Sequence, residues 1–137
     1  MDYKYKSRGV WYSRSCVSSR NNPPFLATPF VLSDTGVCMA EHESNFNTQA
    51  FNGKNDNGSS DYGIFQINSK WWCKNNSSPS ANACNTMCSR FLDDNISDDI
   101  TCAKRVVKDP NGMSAWVAWV RHCRNKDLSR YLASCNL

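Results

Sequence analysis

Eight cysteines in 137 residues, at positions 16, 38, 73, 84, 88, 102, 123 and 135, constrain this chain more than any other feature. The count is even, no two form a C-x-x-C pair, and the two histidines, His42 and His122, lie far in sequence from the central cysteine cluster. Zinc ligation fits that pattern badly, whereas a four-bridge oxidised framework fits it well. Such a framework implies secretion. The opening, Met1 to Gly9, has a basic region but no apolar stretch behind it, so a signal peptide is not evident.

The length suits one domain with a modest core. With 40% hydrophobic and 20% charged residues, and no repeat or low-complexity tract, most of the chain is expected to fold. The net charge of +4 is uneven: residues 1–36 hold five Lys/Arg against two Asp, and residues 37–137 hold eleven against ten Asp/Glu. That suits an anionic surface such as a bacterial envelope and is too weak to argue for nucleic acid. No apolar run approaches the length of a membrane span.

Residues 1–36 read as an atypical segment, with Asn21-Asn22-Pro23-Pro24, Pro29 and no clear helical or strand period; the expectation is irregular or disordered chain. From Val37 the text becomes regular. Val37–Glu43 suits a short helix, Asn57-Gly58 is a strong hairpin turn signal, and Asp61–Ile67 is a β-rich run. Ile96, Ile100, Ala103 and Val107 recur at helical spacing behind Ser97 as cap and Asp98-Asp99 as an acidic first turn. Ser114–His122 carries a second helical pattern. Helices around one small antiparallel hairpin sheet make an α+β domain over residues 37–137.

Most acids here have plain explanations as solvated groups or caps. Glu43 and Asp61 differ by their surroundings, since one closes a short apolar helix and the other sits on a strand just past a hairpin turn. Such elements can face each other across a cleft. Two-carboxylate glycan chemistry needs that arrangement, with one group protonated to donate to the leaving oxygen and the other ionised. An apolar setting raises the first group's pKa, and amide donors, for which Asn52, Gln66 and Asn68 are available, keep the second charged. From the residues alone, a pair of ordinary surface charges remains the commoner explanation.

The stretches Cys38–Ala50, Gly58–Cys73, Cys102–Val107 and Ser114–Trp119 together resemble the chicken-type (c-type) lysozymes and their non-catalytic relative α-lactalbumin. The likeness runs from Val37 to Leu137 and includes all seven cysteines of that stretch. It implies a lysozyme-like fold, a monomer, and hydrolysis of peptidoglycan or a chitin-like oligosaccharide by a retaining mechanism. Glu43 would be the general acid and Asp61 the nucleophile or electrostatic stabiliser. Trp116 would form the apolar wall beside the acid. Asn52, Gln66, Asn68, Trp71, Trp72, Asp109, Asn111 and Ala115 match positions that bind the sugar chain. Without the resemblance, core packing is the better reading of the tryptophans. The resemblance also implies the bridges Cys38–Cys123, Cys73–Cys88 and Cys84–Cys102, with Cys16–Cys135 as a weaker fourth; eight cysteines alone allow 105 connectivities.

The loop Arg90–Asp99 packs four Asp into its last seven residues. Helix capping accounts for Asp98 and Asp99 and leaves Asp93 and Asp94 repelling them, a conflict that a hard cation with oxygen ligands would relieve. An EF-hand is excluded, because its required glycine and terminal glutamate fall on Asp98 and Lys104. Composition leaves capping and metal about even. The loop resembles the calcium elbow of α-lactalbumin and of some lysozymes, which implies one structural calcium (Ca2+) held by side chains of Asp93, Asp98 and Asp99 and carbonyls of Arg90 and Asn95.

Asn57, Asn75, Asn76 and Asn95 head glycosylation sequons, and His122 reads as a helix-surface residue. Before Val37 the resemblance stops: Gly36 stands where the family has Trp, and Asn21–Pro24 would break the family's first helix. Two function classes stay open. One is a muramidase, favoured by both carboxylates and the Trp71-Trp72 pair; the other is a non-catalytic regulatory or glycan-binding protein, or an inactive variant owing to the altered N-terminus.

Overall fold

A computed structural model describes residues 4–7, 10–13 and 34–129. Strand β1 (Lys4–Ser7) pairs antiparallel with β2 (Val10–Ser13), Tyr5 opposite Tyr12. The sequence shows no strand period here because Val10-Trp11-Tyr12 is an unbroken apolar run, which alternation cannot separate from other structure.

Helix α1 (Asp34–Ser44) begins three residues before the predicted start. Asn45 and Phe46 end it in left-handed conformation, with φ of 53° and 61°, and their N–H groups donate back to Glu41 and Ala40 carbonyls. Asn tolerates that conformation; Phe46 is held in it with its ring buried in the core. The Ser44 hydroxyl donates to the Ile64 carbonyl at 2.7 Å, tying the helix end to the sheet.

The sheet has the order β3 (Phe51–Asn52), β4 (Asp61–Tyr62), β5 (Ile67–Asn68), all antiparallel. Gly58, at φ +82°, turns the chain between β3 and β4 as the Asn-Gly signal predicts. The run Asp61–Ile67 is not one strand. It bends at Gly63, whose φ is +80°, and a β-carbon there would strike the Phe91 carbonyl and the Asp99 carboxylate. The turn lets Ile64 and Phe65 both enter the core, which the alternation of a straight strand would forbid.

Helix α2 (Ser97–Val107) forms where its spacing predicts. Ser97 does not cap it, however. The N-cap position is Ile96, with no side-chain cap, and the Ser97 hydroxyl instead donates to Asn95 Oδ1 at 2.7 Å. The buried stripe is Ile96, Asp99, Ile100, Ala103 and Val106, so a carboxylate lies on the apolar face and Val106 replaces Val107. The predicted helix Ser114–His122 is split into a 3₁₀ turn (Gly112–Ala115), an extended Trp116, and α3 (Val117–His122). Trp116 leaves helical geometry and buries its ring, its indole N–H donating to the Phe65 carbonyl at 2.8 Å.

The bridges Cys38–Cys123, Cys73–Cys88 and Cys84–Cys102 all form, the first joining α1 to the end of α3. Cys16 and Cys135 lie outside the described residues. The core gathers Met39 from α1, Ile67 from β5, Phe91 from the 3₁₀ turn Cys88–Leu92, and Ile100 and Val106 from α2. The architecture is the α+β one expected. Among the described residues no helix is long and apolar enough to cross a membrane.

Candidate active site

A cleft of about 1090 Å³ is lined from one side by sheet residues Asp61 and Asn68 and from the other by Glu43, Trp116 and α3 residues. Glu43 lies in the last turn of α1, the end that Ser44 fastens to the sheet. Burial pushes its carboxyl up to about 7; the Ala118 backbone N–H pulls the other way, and the Asp61 charge adds to the rise. A carboxyl so placed keeps much of its proton near neutrality.

Asp61 has the opposite surroundings. Asn68 Nδ2 donates to one oxygen at 2.9 Å and Asn55 Nδ2 to the other at 3.1 Å. Both amides also reach the buried Ser59 hydroxyl, at 2.9 and 3.1 Å, which in turn donates to Asn57 Oδ1. One cleft therefore holds a carboxyl disposed to donate a proton and a carboxylate held by amide donors.

Of the three amides expected beside Asp61, only Asn68 reaches it. Gln66 Nε2 donates to the Ala50 and Gly63 carbonyls, although the residue still lines the cleft. Asn52 is not brought to the cleft wall: its side chain is taken up within the turn by Lys54 N–H and Asn55. Asn55 takes the role instead. The signal for it lay in the Asn57-Gly58 turn, because the register Asn52 opposite Asp61 folds Asn55 back toward that carboxylate.

The structure brings Trp71, Trp72, Asp109, Asn111, Ala115 and Trp116 together on the same cleft. Trp71 is 54% exposed with Lys70 over its ring, while Trp72 packs partly against the core and carries the Arg105 guanidinium on its face. Arg105 also pairs with Asp109 at 2.9 Å. Arg121, at the α3 end of the same cleft, was not singled out by the sequence.

A model of the C-type lysozyme/alpha-lactalbumin family matches residues 30–135. The chain belongs to that family. It is 85% identical over 101 residues to lysozyme C, milk isozyme, of Canis lupus familiaris, across 74% of this chain and 78% of that one. It is 77% identical to lysozyme C of Equus asinus over the same shares. Canine milk lysozyme in its apo form has the same fold, with a TM-score of 0.73 at 83% identity, covering 76% of this chain and 81% of that one. A lysozyme from equine milk described as calcium-binding matches with a TM-score of 0.73 at 72% identity, over 79% and 84% of the two chains. By family and relatives the chain is an enzyme of the lysozyme kind.

The acidic loop offers its own test of fit to calcium. Asp99 is 1% exposed, and neither carboxylate oxygen has a hydrogen-bond partner of ordinary geometry. Burial pushes its pKa up to about 9, Asp93 and Asp98 add to the rise, and backbone N–H groups of Asp99 and Ile64 oppose it. A buried carboxylate with so little hydrogen-bond support, beside two further acids, is a site that a hard cation satisfies. Asp94 is engaged elsewhere, accepting from the Thr48 hydroxyl at 2.9 Å. Among the described residues the loop carboxylates do not come within 4.8 Å of one another as a trio. The residues fit the group.

Proposed function

We propose that this enzyme hydrolyses the β-1,4 link between N-acetylmuramic acid and N-acetylglucosamine in bacterial peptidoglycan, with retention, as a secreted, monomeric, antibacterial protein. The observation that carries the reading is the opposed environment of two carboxyl groups across one cleft, Glu43 raised to about 7 by burial and Asp61 held by Asn68 and Asn55. This family is itself the type case of that chemistry. Glu43 gives its proton to the glycosidic oxygen as the bond breaks. Asp61 attacks or stabilises the sugar cation. Glu43, now ionised, then takes a proton from the incoming water.

The wall residues support the same substrate class. Trp71 and Trp72 offer indole faces to the apolar faces of sugar rings, and Asp109, Asn111 and Gln66 supply polar groups along the cleft. Calcium, held by Asp93, Asp98, Asp99 and the Arg90 and Asn95 carbonyls, would be structural, since the loop is not part of the cleft wall. The non-catalytic reading rests on the altered N-terminus alone and is not favoured by the family or the relatives.

The deciding experiment is hydrolysis of purified peptidoglycan by oxidised, calcium-loaded protein, with the anomer of the new reducing end followed by NMR. Release of the β-anomer first supports retention. No cleavage by folded protein overturns the assignment.

A further inference from the structure

We propose that Arg105 is a positioning residue for sugar binding, holding Trp72 and Asp109 together as one recognition edge of the cleft; this rests on the glycan substrate proposed above. Its guanidinium lies over the Trp72 ring, 5.9 Å from the centroid, and its Nη1 donates to Asp109 Oδ1 at 2.9 Å. A planar guanidinium stacks through its face while donating through its edge, which a lysine ammonium cannot do.

The fold brings the three side chains to one place. Trp72 is fastened by its backbone, its N–H donating to the Asn68 carbonyl and its carbonyl accepting from the Cys84 N–H. Cys84 is bridged to Cys102 of α2, and Arg105 lies three residues further on, on the same face of that helix. Asp109 follows just past the helix end, where its own N–H donates to the Val106 carbonyl. All three line the cleft that holds Glu43 and Asp61.

Helix stability does not explain the pair. An acid just beyond a helix C-terminus meets the negative end of the macrodipole, and an exposed ion pair adds little to stability. Here the side chains of Arg105 and Asp109 are 45% and 40% exposed. What the pair fixes is orientation. Arg105 takes Asp109 Oδ1, which leaves Oδ2 to accept from a sugar hydroxyl or an N-acetyl N–H. The same cation confines the Trp72 ring by attraction to its face. Two side chains held in place before the sugar arrives lower the ordering cost of binding it.

The test uses oxidised, calcium-loaded full chain and uncharged chitin oligomers, whose affinity does not follow net charge. Calorimetry measures binding of the trisaccharide, and hydrolysis of a longer oligomer gives KM and kcat. The variants are Arg105→Gln, Arg105→Lys, Asp109→Asn, the Arg105→Gln/Asp109→Asn double variant, and Lys108→Gln as a charge control off the cleft, each checked by circular dichroism. Arg105→Gln is expected to weaken the trisaccharide and raise KM about three- to tenfold, the loss of one exposed ion pair and one cation–π contact. Its kcat should stay within about twofold of the parent, as for lost uniform binding, and its thermal midpoint should hardly move. Arg105→Lys should recover part of the loss, the double variant should lose less than the sum of its two members, and Lys108→Gln should bind as the parent does. Parent-like binding in Arg105→Gln would overturn the proposal. So would additive losses in the double variant, or a fall in kcat at unchanged KM. Binding is read without turnover, so this comparison decides even if the parent does not cleave.

Discussion

Asn68 sits directly across the antiparallel ladder from Asp61 and donates its amide to that carboxylate at 2.9 Å. The register makes the contact: opposed residues share a face of the sheet, so a short amide on β5 meets a short acid on β4. Asn68→Ala is expected to lower kcat about 10- to 100-fold, the range for a lost hydrogen bond to a charged group of roughly 1.5–3 kcal/mol. Asn55→Ala should cost less, because its bond to Asp61 is longer. Peptidoglycan turnover by the folded variants measures both, and parent-like rates in Asn68→Ala would remove the contact from the mechanism.

Glu43→Gln keeps the shape of the acid and cannot donate a proton. Loss of general acid catalysis is expected to reduce hydrolysis by at least about 10²-fold while oligosaccharide binding persists. Turnover and binding of a chitin oligomer should therefore separate in this variant.

The raised pKa of Glu43 also sets the alkaline limb of activity. The acid must be protonated to donate, so turnover should fall as pH rises through about 7. Stability follows the same proton. The folded state holds it more tightly than the unfolded chain, whose value is about 4.5, so this contribution is complete below about 4.5 and lost as pH rises through about 7. Glu43→Gln should melt above the parent at pH 8 and alongside it at pH 4; equal midpoints at both would show that Glu43 is not desolvated.

Calcium should raise the thermal midpoint of the protein, by the equivalent of ~2.7 kcal/mol at one hundred times the dissociation constant. Asp93→Ala and Asp98→Ala are expected to abolish that response. Asp94→Ala should keep it, since Asp94 is bonded to Thr48 and not committed to the loop's interior. Melting each variant in excess calcium and in excess chelator gives the comparison. A midpoint that ignores chelation in the parent would overturn the calcium site.

Much of the fold and the site was legible in the residues themselves. Spacing marked α2, the Asn57-Gly58 pair marked the hairpin turn, and motif order was specific enough to point to Glu43, Asp61 and the three bridges. Those signals are local, or are carried by long stretches in fixed order, and a one-dimensional text preserves both. Tertiary structure decided the rest. Which amide holds Asp61 depended on strand register and turn closure, which gave the place to Asn55 over Asn52 and Gln66. Trp116 broke the predicted helix because its indole found a carbonyl 51 residues away in the chain. Asp99 faces inward because the stripe of α2 packs against the turn at Gly63, and that packing buries its carboxylate. Proximity across a core is what desolvates one carboxylate and solvates another, and no order of residues states it by itself.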